Sequence, residues 1–503
     1  MSMLMLSVSG CRGVVGETLT PEVAARFAGA YASFLREQFG GRKVSVVLGR
    51  DGRRGCGVVH SAAVSGLLGA GCDVIDLGVA MTPTVAVMTD CHGASSGVPT
   101  AGMVLTASHN PQQWNGLKCL LADRAAGGLH GAAACAPPAS AAGKIIERFR
   151  NGLVSYAGWG GVGTLSRRED ATDVHVERVQ DALIRSGVAE LPSSIGDGMR
   201  VAVDCVNASA SRTAPILLES LGCDEVMTLF CETEGEHAGL FPHAPEPTAE
   251  NLSGAGGLCD AVRANGSDVG FALDPDADRL ALIDEQGRYV GEEYTLVLSA
   301  MAILEAHRKR GGTGGEQPVL VTNLSTSRML NDVAALYGAA VVRTPVGEAN
   351  VVEAMKQRHA IAGGEGNGGT IWPRSCYVRD SLAAMGLVLW LMSPASSGRR
   401  RTLSGLIAGI PSYAIEKRKV DLARKEDAAA AVEKIMRAFV REGQHVDTSD
   451  GAWVDFRTGP LAGKAWLHVR ASNTEPIMRL IAEAPTRAEA VGVLEKAGGV
   501  LGS

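Results

Sequence analysis

"KVSVVLGRDGRRGCGVVHSAAVSGLLGAGCDVIDLG", residues 43–78, decides the fold class. The β-branched run at 43–50 reads as a strand, and "GRDGRR" (49–54) closes it with a turn rich in arginine. "SAAVSGLLGAG" (61–71) is alanine- and leucine-rich and ends on glycine, as a helix does. "CDVIDLG" (72–78) is again strand-like. Strand, helix and strand in this order form a βαβ unit, whose natural home is a mixed or parallel α/β sheet.

The same alternation continues outward. "MLMLSVSGCRG" (3–13) reads as a first strand, because it has neither a basic leader nor a long apolar run. "MRVAVDCVNASASRTAPILLESLG" (199–222) is strand then helix, "DVGFALDPDADRLALID" (268–284) is two strands about an acidic turn, and "VLVTNL" (319–324) is a further strand. Gly/Ala/Pro-rich residues 125–143 interrupt the pattern, 155–170 reads as a linker, and 307–318 as a loop. The arginines 399–401 read as a solvated loop. Beyond them the pattern becomes alternating, with one helix-like segment over 426–441, which suggests a smaller α+β domain. The expected architecture is therefore three similar mixed-sheet α/β domains and a smaller C-terminal one. The expected boundaries are 1–165, 166–293, 294–409 and 410–503.

The chain has 503 residues, 46% of them apolar and 20% charged, with a net charge of −6. That suits a multidomain globular protein and gives no basic field for nucleic acid or an anionic membrane. Aromatic residues are 4% of the total, too few for a base-stacking surface. No apolar run is long enough to span a membrane. Eleven cysteines without a C-x-x-C pair point to reduced thiols and a cytoplasmic location.

Four segments carry chemistry. In "DPDADR" (274–279), Asp274, Asp276 and Asp278 alternate between two apolar strands, and their carboxylates suit a hard cation such as Mg²⁺. An EF-hand is excluded, because Arg279 stands where the loop needs glycine and the flanks are strands. In "RASNTEP" (470–476), Arg470, Ser472, Asn473 and Thr474 offer a guanidinium, hydroxyls and an amide suited to a phosphate group, although a helix cap or a plain turn fits the same cluster. Arg479 follows close behind. In "GGEGNGGTIWP" (363–373), glycines permit close approach of the backbone, and Glu365 and Asn367 can grip vicinal hydroxyls; a flexible surface loop fits the same residues equally well. The last segment is "LTASHNPQQWNGLK" (105–118). Its serine, Ser108, has no G-x-S-x-G elbow, and neighbouring His109 is poorly placed to form a dyad with it. A serine near a three-aspartate cation site instead suits a phosphoryl carrier, with one phosphate oxygen on the cation and Lys118 either stabilising the group or moving a proton.

Taken together, "TASHNP" (106–111) with "NGLK" (115–118), "DPDADR", "GGEGNGG" (363–369) and "RASNTEP" resemble the α-D-phosphohexomutases. This is the family of phosphoglucomutase, phosphomannomutase and phosphoglucosamine mutase. "SGCRG" (9–13), "GRDGRR" (49–54), "TPT" (82–84) and "FPHAPEP" (241–247) are secondary matches. The resemblance implies four domains around a central cleft. It also implies transfer between phosphorylated Ser108 and a hexose phosphate through a bound hexose 1,6-bisphosphate, with Mg²⁺ on Ser108, Asp274, Asp276 and Asp278. The implied catalytic set is Ser108, Lys118, Arg12, His109 and Arg279. Glu365 and Asn367 would hold sugar hydroxyls, and Arg470, Ser472, Asn473, Thr474 and Arg479 the distal phosphate.

The chain departs from the family pattern in places. Many relatives end the sugar loop with Ser-Gly-His, whereas this chain has Asn367, Gly368 and Gly369. Asn473 replaces a glycine in the phosphate loop, Ala208, Ser209 and Ala210 replace a glycine-rich turn, and Val8 and Ser9 replace a threonine-containing motif. The expected substrate is a hexose phosphate, with a lean to glucosamine phosphate and with mannose and glucose phosphates as the alternatives. A phosphoserine-dependent phosphatase and a non-catalytic sugar-phosphate binder are the competing functions.

Overall fold

The computed structural model describes residues 4–123, 133–311, 317–422, 424–471 and 477–502. The run at 43–78 forms strand Ser45–Arg50, helix Cys56–Gly69 and strand Asp73–Val79, the two strands paired in parallel. The helix begins earlier than its apolar pattern suggests, with Gly55 at φ +89° turning the chain into it. Glycine takes that left-handed conformation without a Cβ penalty.

Three sheets repeat one plan. In the first, Asp73–Val79, Ser45–Arg50 and Thr100–Leu105 run parallel, and Trp114–Asp123 returns antiparallel to the last of these. In the second the same order is Glu225–Leu229, Arg200–Asp204, Val269–Leu273 and Leu280–Asp284. In the third it is Ala340–Thr344, Val319–Asn323, Ala362–Glu365 and Gly369–Ile371. Helices connect the parallel strands, as such crossovers require. The first sheet grows to eight strands by adding hairpin Met5–Ser7/Gly10–Val14, Ala133–Cys135 and Leu165–Arg167. Residues 155–170, read as a linker, thus supply an edge strand.

The fourth sheet is five-stranded and antiparallel, in the order Ala414–Asp421, Ile477–Ala484, Trp466–Ala471, Ala452–Asp455 and His445–Asp447. Helices Ala428–Arg441 and Arg487–Gly502 pack on it through Ile435, Phe439, Val493 and Leu494. The architecture is the expected one: three similar α/β units and a smaller C-terminal one.

The first unit closes its own core around Phe27, Tyr31, Leu35 and Leu67. The second and third share a core that includes helices Glu293–Lys309 and Ser381–Met392. All twelve residues of Ser381–Met392 are buried, the mark of an interior helix with no solvent face. All eleven cysteines are free, and among the described residues no helix is long and apolar enough to cross a membrane.

Candidate active site

The repeated plan places the three chemical motifs at equivalent points. In every unit the hairpin after the third strand carries one: residues 106–113, 274–279 and 366–368. Each hairpin contains a residue with positive φ, namely Ser108 at 50°, Ala277 at 53° and Gly368 at 87°. For Ser108 and Ala277 this is an uncommon backbone state, one that persists where its surroundings enforce it.

The surroundings of Ser108 are explicit. Its N–H donates to Thr106 Oγ1 at 2.8 Å, and its carbonyl accepts from Arg53 Nη2 at 2.6 Å. Arg53 is almost fully buried, bonds Asp51 and the Trp114 carbonyl, and lies over the Phe241 ring. It fixes both ends of the serine loop. The arginine-rich turn is visible in the sequence, but the part Arg53 plays is not, because it depends on partners at 108 and 114 that are distant along the chain.

Ser108 Oγ donates to Asp274 Oδ2 at 2.9 Å. Asp274, Asp276 and Asp278 each present a ligand oxygen within 4.8 Å of the others, all three residues buried. Thr82 Oγ1 donates to Asp276 Oδ2 at 2.7 Å. Asp276 Oδ1 and Asp278 Oδ1 are buried without a hydrogen-bond partner. Buried carboxylate oxygens are rarely left so unless something cationic is meant to face them, and the all-oxygen set fits Mg²⁺.

Cations surround this cluster. Lys118 Nζ stands 2.9 Å from Asp278, 3.7 Å from Asp276 and 3.9 Å from Glu348. Burial would lower the lysine pKa, but Asp278, Glu348 and Asp276 outweigh it and hold the group well above its usual value. Burial likewise pushes the Asp274 carboxyl up, reinforced by Asp276 and Asp278. For Asp278 burial is overcome by Arg379, Lys118 and Arg279, which hold it far below the carboxylate range. Arg279 Nε lies 4.0 Å from Asp274 and 3.9 Å from Asp278.

Arg12, on strand Gly10–Val14, reaches the Ala107 carbonyl and Asn110 Oδ1, both at 3.4 Å. His109 Nδ1 is 3.4 Å from Ser108 Oγ and Nε2 is 3.9 Å from Glu246. Burial, then Arg279, lowers its pKa to about 4, so at neutral pH it is uncharged.

The loop at 366–368 joins the same neighbourhood through Arg379, a residue that no motif in the sequence marks. Arg379 Nη2 is 2.5 Å from Asp278 Oδ2, and Nη1 is 3.0 Å from Glu365 Oε2 and 3.4 Å from Asn367 Oδ1. Its Nε lies 3.0 Å from Glu348 Oε2. Glu365 Oε1 also accepts from Asn323 Nδ2 at 2.9 Å and from the Gly347 N–H at 3.2 Å. Glu348, on the first turn of helix Glu348–Arg358, was missed as well. Each is a single residue in an ordinary-looking segment, so spacing gives no signal for either.

Of the residues expected to hold the distal phosphate, Ser472, Asn473 and Thr474 lie outside the described residues. Arg470 and Arg479 face each other across strands Trp466–Ala471 and Ile477–Ala484. Arg479 in turn pairs with Lys419 on Ala414–Asp421, giving a row of three cations across three strands. Like charges directly opposite are unfavourable unless an anion joins them. Arg470 Nη1 is 3.5 Å from Asp450 Oδ2, which also accepts from the Val346 N–H at 3.1 Å. The fourth unit thus meets the third one residue from Gly347, which bonds Glu365.

Four domain descriptions of the phosphoglucomutase/phosphomannomutase family match the chain. Alpha/beta/alpha domain I matches residues 4–127, domain II 176–287, domain III 293–413 and the C-terminal domain 418–497. The chain is 35% identical over 484 residues to a "probable phosphoglucosamine mutase" of Methanopyrus kandleri, covering 96% of this chain and 94% of the relative. It is 35% identical over 496 residues to a "phosphoglucomutase/phosphomannomutase" of Thermococcus kodakarensis, covering 97% and 96%. A solved phosphoglucomutase/phosphomannomutase family protein of Burkholderia thailandensis matches with a TM-score of 0.74 at 25% identity, covering 99% of this chain and 98% of that one. An Aspergillus fumigatus N-acetylphosphoglucosamine mutase, solved in complex with glucose 1,6-bisphosphate, matches with a TM-score of 0.55 at 14% identity, covering 99% and 95%.

Proposed function

The chain belongs to the phosphoglucomutase/phosphomannomutase family, a family of phosphohexomutases, and from this premise we propose how its own residues work. Ser108 carries the phosphoryl group. In one direction it gives that group to a hexose 1-phosphate, forming a bound 1,6-bisphosphate, and then takes back the other phosphate to leave hexose 6-phosphate. The observation that carries this reading is the 2.9 Å contact between Ser108 Oγ and Asp274, inside a buried three-aspartate cluster faced by Lys118.

Asp274, Asp276 and Asp278, with an oxygen on phosphorylated Ser108, would hold Mg²⁺. When bound, the ion supplies positive charge against the transferring phosphoryl group. The protein's own groups do the remaining work. Arg53 and Thr106 hold the serine loop in its left-handed turn, so Oγ needs no reorganisation before transfer. Lys118, Arg279 and Arg12 place fixed positive charge where phosphoryl oxygens gather, worth most in a dry site. Neutral His109 can share a proton with the serine or sugar hydroxyl. Glu365 and Asn367 read sugar hydroxyls, and the cation row at Arg470 and Arg479 takes the distal phosphate.

Glucosamine phosphate is the substrate favoured here, in keeping with the named relative from Methanopyrus kandleri. The test is kcat/KM for the 1-phosphates of glucosamine, mannose and glucose, with Mg²⁺ and catalytic 1,6-bisphosphate. A preference of ~100-fold for glucosamine, about 2.7 kcal/mol, is the expected result. Equal rates, or preference for another sugar, would reject that substrate. Full activity in Ser108→Ala would reject the phosphoserine route, and release of free phosphate would favour a phosphatase.

A further inference from the structure

Gly369 owes its identity to a residue ten positions further along. A Cβ built on Gly369 meets Arg379 Cδ at 2.1 Å, Cγ at 2.9 Å and Nε at 3.2 Å. The arginine stem fills the space into which any side chain at 369 would grow. Its guanidinium then touches Asp278, Glu365 and Glu348, which come from the acidic turn, the sugar loop and a helix start. Arg379 Nε is buried without a well-aligned hydrogen bond despite its nearness to Glu348; Glu348 Oε1 is buried without a hydrogen bond as well, and so is Arg279 Nε, which has only long ion-pair contacts to Asp274 and Asp278. Buried donors and acceptors left open in one place point to a polar ligand that completes them.

We propose that Arg379 is a substrate-positioning residue that brings to the sugar loop, from outside it, the cation the loop lacks at position 369, and that Gly369 is the residue that admits it. The inference rests on the mutase reading above. An arginine differs from a histidine at this place in one decisive respect. It stays protonated throughout the working pH range and cannot pass a proton. Its contribution is fixed charge and geometry: it sets Glu365 against Asp278 and keeps an N–H free for an oxygen of the bound hexose phosphate.

Four enzymes test this: the wild type, Gly369→Ala, Arg379→Gly and the double variant. Their kcat/KM values for the preferred hexose 1-phosphate are compared with Mg²⁺ and 1,6-bisphosphate present. Gly369→Ala is expected to cost at least ~10-fold in the wild-type background, because the arginine must move, and little in the Arg379→Gly background. Arg379→Lys, which keeps the charge but not the fork, is expected to raise KM more than it lowers kcat. A further pair, Gly369→His alone and with Arg379→Gly, adds a spectroscopic and pH readout. The paired exchange should recover ~10-fold or more over Arg379→Gly and gain one histidine NMR resonance, absent from the wild type, that titrates between about pH 6 and 7 and is distinct from the phosphate ionisation at about pH 6 shared by every variant. Additive losses in the first set, or an exchange variant that folds normally but recovers nothing, would overturn the proposal and leave the mutase reading intact. A wild type that turns over no hexose phosphate would overturn both.

Discussion

Lys118 shows how much one side chain carries here. It is buried against three acids, Asp278, Asp276 and Glu348, and removing one partner of such a group leaves uncompensated charge worth about 3–5 kcal/mol. Lys118→Met is expected to lower kcat by ~10²–10³-fold and to lower the Tm. The Tm loss should shrink when Mg²⁺ is added, since the ion neutralises the same carboxylates; melting curves with and without Mg²⁺ check this. Because the folded pKa of Lys118 is raised, its contribution is fully present below its unfolded value and flat across neutral pH. Asp90 behaves differently. Burial pushes its carboxyl up to about 7, against the pull of the Ala134 N–H, Arg178 and Lys356. The folded state then binds a proton that the unfolded state releases near ~3.9, so stability falls as pH rises from about 4 to 7. Asp90→Asn keeps the acceptor for Ala134 and removes the titration. Its urea midpoint relative to the wild type should climb across that window, by at most about 4 kcal/mol in stability; an unchanged difference from pH 4 to 8 would refute the assignment. At this scale the sequence was legible where chemistry is concentrated. Three aspartates in one short turn announce themselves, whereas Arg379 in "YVRD" looks like the flank of a helix cap, which its neighbour Asp380 in fact is.

Among the elements, helix Ser381–Met392 is the one whose start matters to the site. Asp380 caps it by accepting from Leu382 N and Ala383 N through Oδ1. Its other oxygen accepts from Ser375 Oγ at 2.6 Å and stands 3.3 Å from His175 Nε2, all of it buried. His175 in turn contacts Thr84 Oγ1 at 2.9 Å, so one carboxylate ties the first, second and third units together next to Arg379. Asp380→Ala is expected to cost about 3 kcal/mol, more than the ~1 kcal/mol of an exposed cap, because it orphans buried partners as well. Urea unfolding measures the cost, and a loss under 1 kcal/mol would show that the network relaxes without it. The strands and helices themselves were readable because period and glycine breaks agree, as over 43–78. Edge strand Leu165–Arg167 was not, since three exposed residues carry no burial pattern, and only pairing with Asp73–Val79 makes them a strand.

On the scale of the whole molecule, the three hairpins converge because each of the first three units repeats one strand order, and the fourth unit is added at the side of loop 366–368. The motifs could be recognised singly from sequence. Their equivalence could not, because it resides in sheet order and not in residue type. The seam with the fourth unit is largely polar: Arg328 bonds Asp455 at 2.8 Å, Ser325 Oγ stands 2.8 Å from His468 Nδ1, and Asp450 accepts from Val346. A small apolar group of Leu324, Trp453 and Trp466 completes it. On the same face of the sheet as this seam runs the row Arg470, Arg479 and Lys419; Arg470 is paired with Asp450, and the like charges of Arg479 and Lys419 set beside it are a cost to the unliganded protein. Arg479 is the middle of the row and is exposed, so its removal relieves repulsion without opening a cavity. Arg479→Ala should therefore melt at the same temperature as the wild type or slightly higher without ligand, yet raise KM for hexose phosphate by ~10-fold or more with little change in kcat. The stabilisation that added hexose phosphate gives the wild type should shrink in the variant, because binding stabilises in proportion to affinity. The KM increase should also narrow at high salt, where the wild type loses the same electrostatic advantage. A variant that melts lower and keeps the wild-type KM would mean that the row serves the sheet and not the phosphate.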